Sequence, residues 1–116
     1  MRVLALTLVS TAGLLAGCGP DCNTSCDKLF GDRNEECRIV VPGRSAQEMT
    51  NSCLAECEGA LKVTGEMDGY DPDVRGSGAE DISLKNEQQA AAWMDCIAET
   101  SCKDLEDNYC APTTNF

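Results

Sequence analysis

The chain has 116 residues, with 20 acidic side chains against 9 basic ones, a net charge of −11 and no histidine. So negative a surface repels nucleic acid and anionic lipid headgroups, and without histidine neither a Ser-His-Asp triad nor the commonest zinc catalytic sites can be assembled. Nine cysteines in so short a chain point to an oxidising, exported setting in which bridges supplement a thin core.

Residues 1–17 divide into a charged start at Arg2, an apolar run from Val3 to Leu15, and the small residues Ala16 and Gly17. That is the order of an export signal, too short to span a bilayer as a permanent helix. The stretch Leu14-Leu15-Ala16-Gly17-Cys18 resembles the lipobox of bacterial lipoproteins, and the match covers the first eighteen residues. The resemblance implies a diacylglyceryl group on the Cys18 thiol, cleavage just before it and acylation of the new amino terminus. Two or three acyl chains hold a protein stably where one holds it marginally. Gly19 stands where an aspartate would resemble the inner-membrane retention signal of enteric bacteria, so the expected address is the outer membrane, with the leaflet left open. The covalent lipid is the expected attachment, and no other cofactor is expected.

Loss of residues 1–17 leaves 99 residues, enough for one small domain. Arg2 leaves with them, so 8 basic residues face 20 acidic ones, a net charge of −12. Only 20 of the 99 are large apolar residues, and a domain so poor in them needs staples. With Cys18 assigned to lipid, eight cysteines remain: Cys22, Cys26, Cys37, Cys53, Cys57, Cys96, Cys102 and Cys110. An even number suits complete pairing.

Residues 18–21 form the lipidated terminus and a very short tether, and 22–116 form the cysteine-rich domain. Cys22, Cys26, Leu29, Phe30, Arg33 and Cys37 fall at helical intervals and predict a first helix from Cys22 to about Arg38, weakened at Gly31. Ile39-Val40-Val41 reads as extended and Pro42-Gly43 as a turn. Ser45-Ala46-Gln47-Glu48 has the form of a capping box and opens a second helix from Ala46, with its end near Gly59 or Gly65. The stretch 65–81 is rich in glycine and acids without periodicity and reads as a long surface loop, after which Ile82 and Leu84 suggest a short strand. A third helix begins at Asn86-Glu87-Gln88-Gln89 and carries Trp93, Cys96 and Ile97. Ser101 with Asp104 signals a short final helix. The expected fold is mainly α, a small disulfide-stapled domain of about three helices with a long acidic loop.

Cysteines four apart on a helix share a face, so Cys22/Cys26 and Cys53/Cys57 can clip two helices side by side. This spacing is similar to the twin C-x3-C helical hairpins of small mitochondrial chaperones. The likeness is confined to the spacing within each pair, because 26 residues separate Cys26 from Cys53 here. It implies the clipped-hairpin geometry and no chaperone activity. In an antiparallel pair, facing positions have a constant sum of residue numbers. Cys22 with Cys57 and Cys26 with Cys53 both give 79 and are the expected bridges. Placed on an extended first helix, Cys37 has no cysteine opposite it and is assigned to Cys96, which leaves Cys102 with Cys110. The short closure at the C-terminus also allows an exchange with Cys37 or Cys96.

The cysteines and the acidic loop each suggest a metal site. Four thiolates could hold zinc, but an exported address and a full set of eight cysteines favour disulfides. Asp71-Pro72-Asp73-Val74-Arg75-Gly76 begins like a calcium loop, with acids at positions one and three and glycine at six; Arg75 at the fifth position and Ile82 at the twelfth break the pattern. Asp68, Asp71, Asp73, Glu80 and Asp81 are the weak calcium candidates. The expected function is a membrane-anchored cell-envelope module that binds an unidentified envelope protein or acts structurally, without enzymatic activity. A calcium-dependent adhesion module using the acidic loop is the alternative, and a small envelope enzyme a more distant one.

Overall fold

A computed structural model describes residues 19–77 and 82–116. The described residues contain four helices and no strand: α1 (Cys22–Phe30), α2 (Ala46–Leu61), α3 (Glu87–Glu99) and α4 (Cys102–Glu106). Each is started by a side chain that satisfies otherwise unpaired amides of the first turn. Asp21 accepts from the Thr24 amide at 2.7 Å while the Asp21 amide donates to the Thr24 hydroxyl at 3.2 Å, a reciprocal box at the head of α1. Ser45 accepts from the Glu48 amide, Asn86 from the amides of Gln88 and Gln89, and Ser101 from that of Asp104.

The first helix is shorter than its spacing predicts. It stops at Phe30, and Gly31 leaves it in an extended conformation. The reason lies in space as well as propensity: a β-carbon on Gly31 would come within 2.5 Å of the Asp27 carbonyl oxygen and would run into the Glu36 carboxylate folded over it. The chain turns at 33–36 and comes back against the end of α1, where the Cys37 amide donates to Lys28 and the Ile39 amide to Leu29. Cys37 therefore lies off the helix, and the pairing deduced from its helical position fails with that placement.

Four bridges staple the fold. Cys22–Cys57 and Cys26–Cys53 join α1 to α2 with Cα separations of 5.8 and 5.9 Å, which makes the two helices antiparallel. The other two differ from expectation: Cys37 pairs with Cys102, not Cys96, and Cys96 pairs with Cys110. α3 ends at Glu99 and Thr100 leaves it in an extended conformation, so Cys102 lies off the helix that carries Cys96 and the two face different neighbours. Cys96 faces the returning C-terminal segment, whose Cys110 amide donates to Pro72. Cys102, at the start of α4, faces the strand of chain that carries Cys37.

The third helix closes the core. Its head is tied to the tail of α2 by the Glu87 amide donating to Val63 at 2.8 Å. Its tail is capped by Lys28 of α1, whose ammonium donates to the carbonyls of Ile97 (2.6 Å), Ala98 (3.3 Å) and Thr100 (2.7 Å). A cation there meets the unpaired carbonyls and the negative end of the helix dipole. Between the helices Leu29, Met49, Trp93, Ile97 and Leu105 are fully buried. Phe116 stands edge-on to both Phe30 and Trp93, each at 6.0 Å, and the Trp93 indole donates to the Pro112 carbonyl.

Ile82 and Leu84 do not form the expected strand; both lie in irregular backbone, with Leu84 buried. The described part of the acidic stretch is irregular too, but fastened. Asn86 donates to Glu66, Gln89 to Met67 and the Tyr70 hydroxyl to Ala111, while Pro72 is buried. Backbone polar groups without helix or sheet partners need such substitutes. Among the described residues no helix is long and apolar enough to cross a membrane.

Candidate functional site

The expected lipidation site, Cys18, lies outside the described residues, as do Glu80 and Asp81 of the acidic stretch. The description begins one residue after Cys18, and only Gly19, Pro20 and Asp21 stand between that cysteine and the first residue of α1. Asp21 is already part of the fold, since it caps α1. Its hydrogen bonds from the Thr24 side chain and amide hold its carboxyl below the usual carboxylate range by favouring the charged form.

The eight later cysteines engage one another completely. A thiolate zinc site or a reactive dithiol would need sulfurs that these bonds occupy. The bridges sit deep: Cys26, Cys53, Cys57 and Cys110 have no solvent exposure. The Thr100 hydroxyl lies 3.2 Å from the Cys110 sulfur, which as a disulfide sulfur is the acceptor.

The three described calcium candidates are exposed and turned to local tasks. Asp71 accepts from the Asp73 amide at 3.0 Å, closing a small turn. Asp68 occupies a left-handed backbone position, with φ of 49°. Arg75, at the fifth position of the calcium-like pattern, folds away from these acids and donates to the carbonyl and carboxylate of Asp107 at 3.0 and 2.7 Å. Among the described residues no three cysteine, aspartate or glutamate side chains gather into a metal-holding group.

An open cleft of about 740 Å³ lies between α1, the 33–36 turn and the tail of α3. Thr24, Ser25, Lys28, Arg33, Glu36 and Ile97 are among its walls. Both of its cations are committed within the protein: Lys28 to the carbonyls of α3, and Arg33 to Glu36 at 2.6 Å and Asp27 at 3.8 Å. Burial lowers the Lys28 pKa below the usual lysine value, against the pull of three carbonyl acceptors. The cleft thus presents aliphatic stems and the outer faces of ion pairs. Lys28 could not be picked out from sequence, because its acceptors lie some 70 positions away.

A second, shallower feature is the end of the molecule where α1 starts and α2 finishes. Leu61 and Val63 are exposed there by 42% and 49%, with Lys62 between them. Comparison with protein-family models, with curated proteins and with solved structures finds no match, so its function is argued from its own residues.

Proposed function

We propose that the mature chain, residues 18–116, is a lipid-anchored module of a bacterial cell envelope, held on the outer membrane through Cys18 and acting by binding an envelope protein or by structural presence, without catalysis. The observation that carries this reading is the parity of the cysteines. The eight that follow residue 18 are all joined to one another, so the chain offers Cys18 no partner cysteine. It is also the cysteine that ends the apolar, small-residue stretch typical of the lipobox. A lone thiol in an oxidising compartment is a liability unless it is used, and thioether linkage to lipid uses it.

The test is metabolic labelling with palmitate. Wild-type protein takes up label and fractionates with membranes, whereas Cys18→Ser leaves unlabelled precursor or a product of ordinary secretory cleavage. Label on the Cys18→Ser protein, or unlabelled wild type, overturns the reading.

A further inference from the structure

We infer that the Cys37–Cys102 bridge is a redox-sensitive clamp on the cleft: a dithiol reduces it ahead of the other three bridges, and its opening frees the 33–36 turn from the tail of α3 while the rest of the fold stays stapled.

Position makes it a clamp. The open cleft of about 740 Å³ has the 33–36 turn on one wall and Ile97 and Ala98 of α3 on another. Cys37 follows the turn directly, and Cys102 opens α4 just beyond the end of α3. With 5.1 Å between their α-carbons, the bridge ties those two walls to each other. The other bridges act elsewhere, two joining α1 to α2 and one joining α3 to the C-terminal segment.

Access makes it the first to yield. Cys102 is partly exposed, between the exposed Ser101 and Lys103, whereas every cysteine of the other three bridges is buried. A thiolate must reach a disulfide sulfur to exchange with it, so a buried bridge waits for the structure around it to open. The backbone favours release as well. Arg38 is held at φ 53°, a costly conformation for a residue with a β-carbon. It is fastened on one side by the bridge at Cys37 and on the other by the Ile39 amide donating to Leu29. Cys110 is left-handed too, at φ 58°, but has no exposure.

The exchange is a two-electron transfer from the dithiol. One of its thiolates attacks the Cys102 sulfur, the bond to Cys37 breaks, and Cys37 leaves as a thiolate. The second thiol then displaces Cys102 from the mixed disulfide. The dithiol ends as a disulfide, and its two protons end on Cys37 and Cys102.

The experiment treats the mature protein, its free thiols first blocked with N-ethylmaleimide, with limiting dithiothreitol, and maps the cysteines that iodoacetamide then labels by mass spectrometry over time. Cys37 and Cys102 should be labelled at least about tenfold faster than any other pair, the ratio that a modest opening cost on the buried bridges imposes. Earlier labelling of another pair, or loss of all four bridges together, would overturn the inference. Amide hydrogen exchange of Cys37→Ala/Cys102→Ala reads the clamp itself. Exchange at positions 37 and 39, whose amides are bonded to α1, should rise by about tenfold or more, with the Glu87 amide unchanged and the helical circular dichroism retained. Unchanged exchange at 37 and 39, or loss of the helical signal, would show that the bridge is no local switch.

Discussion

Replacing Cys37 and Cys102 together by alanine opens the bridge of longest span, and the structure sets the size of the loss. The two cysteines are 65 residues apart, whereas Cys96 and Cys110 are 14 apart. Another bridge barely shortens the longer loop, because the path through Cys26–Cys53 still runs 11 residues back to Cys26 and 49 on from Cys53. Loop-closure entropy then puts the cost at about 4 kcal/mol for Cys37→Ala/Cys102→Ala and about 3 kcal/mol for Cys96→Ala/Cys110→Ala. For a domain of this size, 4 kcal/mol is roughly a 15–30 °C fall in Tm. Urea titration followed by far-UV circular dichroism measures both variants, and thiol titration in guanidinium provides an independent readout. Each double variant retains three intact bridges and should release no thiol. Two reactive thiols in either variant would mean that the replaced cysteines are not partners, and would refute the pairing of Cys37 with Cys102 and of Cys96 with Cys110. Three bridges with a loss below about 1 kcal/mol for Cys37→Ala/Cys102→Ala would keep the topology and refute the entropic account of its strength.

Lys28→Met keeps most of the aliphatic stem and removes the ammonium that caps α3, so stability should fall by about 1–2 kcal/mol, as read by urea midpoint; an unchanged midpoint would mean that water serves those carbonyls equally well. The Ser25 hydroxyl is buried without a hydrogen-bond partner inside α1, and Ser25→Ala should therefore stabilise by about 0.5–1.5 kcal/mol, whereas a destabilised variant would reveal a partner for that oxygen. Burial first, and then the negative charges of Glu56, Asp71 and Asp73, push the Tyr70 phenol well above its usual 10.0. The folded state thus favours the neutral phenol, a contribution fully present below pH 10.0 and lost as pH rises toward the folded value. Absorbance at 295 nm should show a late tyrosinate step that Tyr70→Phe removes, and its persistence in that variant would assign the step elsewhere.

Much of this fold was legible in the sequence because its determinants are local. Ser45, Asn86 and Ser101 each cap a helix within three residues of their own position, and the C-x3-C pairs fix a register within one turn. The equal sums of 22 with 57 and 26 with 53 carried that local geometry across two helices, and the bridges follow it. The lipobox resemblance is local as well, and the address it implies is an expectation from those eighteen residues alone.

What only the tertiary structure decided begins at Gly31. Its helix-breaking cost of about 1 kcal/mol was visible, but the Glu36 carboxylate that fills the space of a β-carbon was not. With α1 ended there, Cys37 swings to Cys102 and Cys110 returns to Cys96. The acidic stretch likewise contains nothing that announces its fastening, because Asn86, Gln89 and Tyr70 reach it from 20 to 41 positions away or tie it that far. Helices and caps are written in neighbouring residues. Chain return, remote capping by Lys28 and the last two bridges depend on which segments share space, and that is settled only when the core closes around Trp93.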